Sequence, residues 1–271
     1  MTAASAFAAA LDKAQRTVSP ISQLAPDAPI GLDRAYATQH ALIARRLARG
    51  ERAVGVKLGF TSRAKAVQMG VDDVIIGTLT DAMRIEDGGV FDPGGAIHAR
   101  VEPELAFLLG AELDASGAGD PMAAVAGVAP ALEVIDSRFR DFRFSLDDVV
   151  ADNASAAGFV TGPWTSPEAL GTGLDNRAVA LEFDGRQVAI GSTGAILGDP
   201  RRALVAAARL AAAHGFALRA GTVLLAGAAT AAVPVPARGL VEASVTGLGR
   251  VSLRIGANGT NDPNDPKGEH A

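Results

Sequence analysis

Two carboxylates stand two residues apart in an apolar stretch, ARVEPELAFLLG at 99–110. On a β-strand Glu102 and Glu104 would point to the same face, because side chains alternate along a strand, whereas on a helix they would diverge. Two buried carboxylates that lie this close either raise the pKa of one of them or recruit a cation. A hard divalent ion such as Mg²⁺ or Mn²⁺, which prefers carboxylate and water oxygens, would solve both problems.

A third carboxylate would complete one face of such a coordination shell. Glu133 in PALEVIDSR is the best candidate, because Leu132, Val134 and Ile135 around it indicate a buried strand. The structural alternative is that these glutamates face water on half-exposed strands. The Glu-x-Glu pattern alone does not decide between the two interpretations.

Lys57 is a lone ammonium in the apolar stretch VGVKLGFTS. A lysine on a strand commonly extends its charged end to water, and this is its structural interpretation. The functional interpretation is a buried cation that faces the acidic cluster and transfers protons.

Three polar residues, Asp152, Asn153 and Ser155, stand among small residues in VVADNASAAGFVTG. Each is compatible with an ordinary helix cap. The small neighbours would equally allow a ligand to approach the backbone.

Composition excludes several classes of function. The 25 basic residues nearly balance 30 acidic ones, no basic cluster is dense, and aromatic residues make up 4%, so nucleic acid is not an expected partner. No apolar run of membrane-spanning length occurs, and the N-terminal segment lacks the basic region of a signal peptide. Without cysteine there is no thiolate metal site. We expect a cytoplasmic protein with no membrane partner.

Familiar catalytic motifs are missing as well. The four histidines form no His-x-x-x-His pair, which argues against a zinc hydrolase. The phosphate-binding loop, the dinucleotide-binding Gly-x-Gly-x-x-Gly and the Gly-x-Ser-x-Gly nucleophile elbow do not occur either.

The periodicity predicts which elements carry these residues. Helices are predicted over 3–16, 31–51 and 199–215, and a strand carries Lys57. From about residue 85 the chain is mostly strand-like, with a long strand at 98–110, a loop around Pro130, and hairpins near Asp184-Gly185 and at 241–255. The fold class is therefore α+β with a strand-rich core. We divide the chain into an N-terminal helical portion (1–80), a catalytic β-rich domain (81–256) and a disordered polar tail (257–271).

The sequence resembles the fumarylacetoacetate hydrolase superfamily, in particular the hydratase/decarboxylase branch of catechol meta-cleavage pathways. The resemblance runs from about residue 30 to 256 and rests on the segments GVKLGFTSRAKAVQMGV, GTLTDAM, VEPELAF, ALEVIDSRFRDFRFSLDDVVADNAS, GAILGDP and GLGRVSLRIG. It implies a mixed β-sandwich/roll core with a helical N-terminal portion, one divalent metal ion and an oligomer. The family's metal ligands map onto Glu102, Glu104 and Glu133, and the lysine of its Lys-x-Gly-x-Thr-Ser motif maps onto Lys57.

The branch contains enzymes that remove CO₂ from 2-oxohex-3-enedioate and enzymes that hydrate 2-hydroxypentadienoate. The segments TSRAKAVQMGV, EVIDSRFRDFRF and GTVLLAGAATAAVPV resemble the decarboxylases, whereas GTLTDAM resembles the hydratases. We expect a decarboxylase of this small 2-oxo dicarboxylic acid, with the hydratase as the alternative. An acylpyruvate-type hydrolase and a non-catalytic partner subunit are weaker alternatives. A complex with the matching hydratase is also expected.

Roles within the site follow as hypotheses. Lys57 is expected to hold or protonate the reacting end of the substrate, with Asp73 and Ser155 as further catalytic residues. The expected substrate-binding residues are Thr61, Ser62, Arg138 and Asp152. For Arg138 the proposed role is a bidentate clamp for a carboxylate; the alternative is a structural salt bridge with Asp136 or Asp141.

Overall fold

The computed structural model describes residues 2–62, 74–114, 119–171 and 173–256. The helices are α1 (Ala3–Arg16), α2 (Leu32–Leu47), α3 (Leu146–Ala151) and α4 (Arg201–His214). The strands are β1 (Ala53–Gly59), β2 (Ile75–Thr80), β3 (Arg84–Ile85), β4 (Val90–Phe91), β5 (Arg100–Leu109), β6 (Val125–Ile135), β7 (Ala156–Thr161), β8 (Ala178–Phe183), β9 (Arg186–Ser192), β10 (Val223–Ala228), β11 (Val233–Pro234), β12 (Gly239–Val245) and β13 (Gly249–Ile255).

The larger of two sheets carries the candidate site. Its strands run in the order β2-β1-β10-β5-β6-β7-β3, with β11 paired to β5. Most neighbours are antiparallel, while β1 pairs with β10, and β3 with β7, in parallel. The sheet curls on itself, because Leu79 of β2 shares a buried cluster with Leu225 of β10 and Phe159 of β7. The inner face of this curled sheet is where the candidate site lies.

The outer face of the larger sheet is covered by two different layers. The second sheet, in the order β4-β13-β12-β8-β9, packs on β6 and β7 through a cluster that includes Leu132, Val160, Leu181 and Leu253. The helices cover another part, where Phe107 and Leu224 join Leu11 and Leu204 in one core. The predicted α+β class with a sandwich/roll core and N-terminal helices is confirmed.

Most predicted elements are present. The helices at 3–16, 31–51 and 199–215 correspond to α1, α2 and α4. The two hairpins are confirmed, with Phe183 paired to Arg186 across Asp184-Gly185 and with β12 antiparallel to β13.

The predicted loop around Pro130 is wrong, because β6 runs unbroken from Val125 to Ile135. Proline lacks a backbone donor, so it is normally kept out of central strands. Here the carbonyl of Pro130 accepts from the N–H of Gly162, just past the end of β7. The backbone nitrogen of Pro130, which carries no hydrogen, also faces β7. Because the pairing between β6 and β7 ends at this point, the proline removes little of it.

The division at residue 80 stays a prediction. Strands β1 and β2 belong to the first portion by that division, and they pair within the larger sheet with each other and with β10. The predicted tail, 257–271, lies outside the described residues, as does Asp73. Among the described residues, no helix has the length and apolar character needed to cross a membrane.

Candidate metal centre and active site

Strand pairing brings the three predicted glutamates together. Glu102 of β5 lies directly opposite Glu133 of β6, and Glu104 follows on the same face of β5. The exposed fractions are 6% for Glu102, 2% for Glu104 and 0% for Glu133. One carboxylate oxygen from each residue lies within 4.8 Å of the others. The glutamates therefore converge in the interior, and the half-exposed alternative is wrong.

Lys57 reaches the same cluster from β1. Its side chain is buried, with Nζ 2.9 Å from Oε2 of Glu133, and it donates a hydrogen bond to the carbonyl of Ala154 at 3.1 Å. The alternative in which this lysine extends to water is therefore wrong. The geometry brings a fixed ammonium group to the edge of the acidic cluster.

Burial and neighbouring charges shift the pKa values within this cluster. Burial raises the pKa of Glu133 to about 7, although the Lys57 ammonium opposes that shift. Burial and the charge of Glu133 also raise the pKa of Glu104 well above its ordinary value. Burial lowers the pKa of Lys57, but the charges of Glu133, Glu104 and Glu102 more than offset this and leave it raised. Three carboxylates thus share this buried space with the ammonium of Lys57.

The donor set fits a divalent cation. Both carboxylate oxygens of Glu133 are buried and make no hydrogen bond of acceptable geometry, even though Nζ of Lys57 lies close to one of them. Buried acceptors without donors are rare and costly. A divalent ion would supply a partner for these oxygens and offset the repulsion among the three carboxylates, and all-oxygen ligands suit Mg²⁺ or Mn²⁺.

A glycine holds Glu104 in place. The backbone N–H of Gly227 in β10 donates to Oε2 of Glu104 at 2.9 Å. Gly227 has φ +117°, and a Cβ there would come within 1.9 Å of Oγ1 of Thr61. No other residue fits this position without displacing Thr61. Sequence reasoning did not single out Gly227, since only the pairing of β10 with β5 reveals its contact.

The acceptor for Lys57 belongs to an unusual turn. Asn153, Ala154 and Ser155 all have positive φ, between 51° and 59°, which is uncommon outside glycine. The side chain of Asn153 holds the turn against β2: Oδ1 accepts from the N–H of Thr78 at 2.7 Å, and Nδ2 donates to its carbonyl at 2.8 Å. A strained backbone fixed in this way is typical of functional sites. The turn aims the carbonyl of Ala154 at Lys57.

Arg138 and Asp152 form a second buried charge cluster. Nε of Arg138 donates to Oδ1 of Asp152, Nη2 donates to the carbonyl of Asp152, and Nη1 donates to the carbonyls of Asp136 and Ala156. Arg138 is 1% exposed and Asp152 0%. Burial raises the pKa of Asp152 to about 6, against the opposing charge of Arg138. The geometry favours a structural role for Arg138 over the predicted carboxylate clamp, with Asp152 as its partner rather than Asp136 or Asp141.

The remaining predicted residues lie around these two clusters. Thr61 is buried at the end of β1, Ser62 is half-buried next to it, and Oγ of Ser155 lies 3.5 Å from Oδ2 of Asp152. The structure thus brings Lys57 and the three glutamates together, and it joins Ser155 and Asp152 to Arg138.

The fold and this cluster agree with a family match that covers most of the chain. Residues 52–255 match the model of the fumarylacetoacetate (FAA) hydrolase C-terminal family. The chain therefore belongs to the fumarylacetoacetate hydrolase family, as the resemblance implied.

Similar proteins indicate which branch of the family this chain resembles. A 4-oxalocrotonate decarboxylase of a Pseudomonas species is 51% identical over 250 residues, which are 92% of this chain and 96% of the relative. A 2-hydroxyhexa-2,4-dienoate hydratase of Comamonas testosteroni is 33% identical and covers 90% and 92% of the two chains. The solved structure of 4-oxalocrotonate decarboxylase from Pseudomonas putida G7, complexed with magnesium and adipate, superposes with a TM-score of 0.86 at 36% identity, over 93% of this chain and 97% of that one.

Proposed function

We propose that the chain is a metal-dependent 4-oxalocrotonate decarboxylase, which converts 2-oxohex-3-enedioate to 2-hydroxypenta-2,4-dienoate and CO₂ in the meta-cleavage pathway of aromatic catabolism. The observation that carries the proposal is the convergence of Glu102, Glu104 and Glu133 beside Lys57. The 51% identity to a decarboxylase supports the choice of reaction.

The reaction is a decarboxylation through a conjugated system. When the bond between C5 and C6 breaks, C6 leaves as CO₂, and its electron pair forms the C4–C5 double bond. The former C3–C4 double bond moves to C2–C3, and the C2 carbonyl oxygen gains a negative charge that a proton later neutralises. The site must therefore stabilise negative charge at this oxygen.

The three glutamates would hold the cation, which we propose to be Mg²⁺ or Mn²⁺. When bound, such an ion supplies Lewis-acid chemistry, worth several kcal/mol for a developing oxyanion. The glutamates would hold this ion in the buried interior of the protein, where electrostatic interactions are strong. The similar Pseudomonas putida decarboxylase is complexed with magnesium in its solved structure, which supports this choice of ion.

Lys57 has the clearest role among the protein groups. Its Nζ lies 2.9 Å from Oε2 of Glu133 and donates to the carbonyl of Ala154, which places the ammonium group at the edge of the acidic cluster. We propose that this ammonium holds the substrate at the edge of the cluster and donates the proton that neutralises the C2 oxygen of the product. Thr61, Ser62 and Ser155 are proposed to contact the ligand, and Asp73 to close over it.

A chelator experiment tests this function. Protein stripped of metal should lose turnover of 4-oxalocrotonate and regain it with Mg²⁺ or Mn²⁺, followed by the absorbance of the dienol product. Full activity of the stripped protein would contradict the metal-dependent mechanism.

The hydratase is the second candidate, because hydratases of the same family are 33% to 38% identical over most of the chain. The two reactions are distinguished by offering each substrate separately. A decarboxylase makes the dienol absorbance rise from 4-oxalocrotonate, whereas a hydratase makes it fall from 2-hydroxypentadienoate.

We also propose that the enzyme acts in the cytoplasm as an oligomer, in a complex with the hydratase that consumes its product. The support is chemical: the dienol product tautomerises readily, so direct transfer to the next enzyme protects it. Co-purification of the two enzymes, compared with each alone by light scattering, tests this association.

A further inference from the structure

An arginine shares the strand face of the candidate metal ligands. Arg100 begins β5 and is followed on the same face by Glu102 and Glu104, because side chains two apart point the same way. The step from Arg100 to Glu102 is about 6.6 Å along the strand. On the neighbouring strand β6, Arg100 pairs with Ile135, which lies two residues after Glu133 and on the same face. A positive side chain therefore flanks the acidic cluster at the start of this strand.

The guanidinium group lies over an aromatic ring. Its Cζ lies 4.3 Å from the ring centroid of Phe142, and the ring of His98 packs on Phe142 at 4.5 Å. His98 is itself fixed by a 2.7 Å contact between Nε2 and the carbonyl of Ser137. Arg100 is half-buried, and among the described residues no carboxylate or hydrogen-bond acceptor engages it.

The same group borders an open cavity of about 550 Å³, which is also lined by Phe142, Asp141 and Pro234. A cation–π contact does not use the N–H groups of a guanidinium, and two of them match the two oxygens of a carboxylate. Asp141 lines this cavity without forming an ion pair with Arg100. The cavity therefore presents a cation at the start of the strand that carries Glu102 and Glu104.

We propose that Arg100 binds the distal carboxylate of an extended 2-oxo dicarboxylate whose other end occupies the glutamate cluster. This assignment rests on the proposed function and adds a specificity determinant to it. The carboxylate that leaves becomes neutral CO₂, so its contact with Arg100 is present in the bound substrate and is lost during the reaction. Removing this contact is thus expected to raise KM, with kcat unchanged or higher, and to weaken the choice of dicarboxylates over monocarboxylates.

The test compares two six-carbon acids, adipate and hexanoate, which differ by one carboxylate. Binding to the Mg²⁺-loaded protein is measured by calorimetry, independently of turnover. The wild type should prefer adipate, and Arg100→Met should weaken adipate at least tenfold while leaving hexanoate unchanged. Arg100→Lys, which keeps the charge but not the planar group, should retain part of the preference.

Arg84→Met is the matched control, because Arg84 also lies over an aromatic ring, 5.7 Å from the centroid of Phe159, but on the short strand β3. It should bind adipate like the wild type. An unchanged adipate affinity in Arg100→Met, or equal losses for both acids with an unchanged melting temperature, would overturn the assignment.

The outcomes also distinguish this proposal from the proposed function. A wild type that does not decarboxylate 4-oxalocrotonate, but whose preference for adipate depends on Arg100, would refute the reaction and retain the subsite. Decarboxylation with a KM that does not respond to Arg100→Met would refute the subsite and retain the reaction.

Discussion

The interior holds two buried charge clusters with opposite character. Around Arg138, one guanidinium meets one carboxylate, and its remaining contacts go to backbone carbonyls. Around Lys57, one ammonium faces three carboxylates, and two oxygens of Glu133 lack donors. The first cluster pairs its carboxylate with a guanidinium, whereas the second gathers three carboxylates and leaves both oxygens of Glu133 without a hydrogen-bond donor.

This difference between the clusters distinguishes a structural ion pair, at Arg138, from a candidate ligand-binding site, at Lys57. Burying charge is tolerated when every group finds a partner inside the protein. A satisfied pair such as Arg138–Asp152 needs no further component and fixes the chain around it. A cluster of three buried carboxylates, with acceptor oxygens that lack donors, fits a divalent cation.

The largest expected effect is on the rate. Lys57→Met removes the proposed proton donor, so kcat should fall by roughly 10²–10⁴-fold, as for loss of a general acid or base. Removing a positive charge beside the glutamates leaves the cluster more negative, so metal affinity should stay equal or rise. The kcat is measured on protein saturated with Mg²⁺ or Mn²⁺, and the metal affinity by titration of the metal-free protein.

Arg84→Met, outside the cluster, serves as the control for Lys57→Met. A parallel loss of metal binding and turnover in Lys57→Met would show that this lysine is structural, and the contrast between the two clusters would then disappear.

The next effect is on stability. Arg138→Met leaves the Asp152 carboxylate buried without its partner, which costs about 3–5 kcal/mol of unfolding free energy. For a chain of this size the melting temperature should fall by roughly 10 °C. Urea unfolding measures the change. A variant as stable as the wild type would show that Arg138 is not the structural counterpart proposed here.

A smaller effect on stability is expected at the ion pairs of Asp12, because its arginine partners are partly exposed to solvent. Asp12 of α1 lies 3.1 Å from Arg45 and 2.8 Å from Arg49, whose side chains are 44% and 39% exposed. Burial raises the pKa of Asp12, but the hydrogen bonds and charges of Arg49 and Arg45 more than offset this, so its net pKa is lowered. Asp12→Asn should cost about 1 kcal/mol at pH 7, since solvent screens the arginines.

The sign of the pH dependence follows from that lowered pKa. The stabilisation is present above the unfolded pKa of about 3.9 and is lost as the pH falls through the lower folded value. The difference in unfolding free energy between wild type and Asp12→Asn should therefore shrink below about pH 4. A difference that stays constant into acid would contradict the ion-pair explanation.

Local patterns predicted the acidic cluster well. The two-residue spacing of Glu102 and Glu104 indicates a shared strand face, and the apolar neighbours of Glu133 indicate burial. The partners of Arg138 and the contact of Gly227 with Glu104 depend on pairing between distant segments, which one sequence does not reveal. Pro130 misled the prediction because its missing donor falls at the end of a neighbouring strand.

The left-handed turn at 153–155 could not be predicted from the sequence either. Asn153, Ala154 and Ser155 carry no glycine signal, and their conformation depends on the hydrogen bonds between Asn153 and Thr78 on another element. Elements with strong periodicity follow from local propensity, whereas strained functional turns follow from tertiary contacts.

Titration of the metal-free protein with Mn²⁺ tests the central claim most directly, with free and bound ion followed by electron paramagnetic resonance. The wild type should bind one ion per chain, and Glu133→Gln should weaken that binding at least tenfold while keeping the wild-type melting temperature. Binding that is absent from the wild type, or that is unchanged in Glu133→Gln and in Glu104→Gln, would show that these three glutamates do not form a metal site.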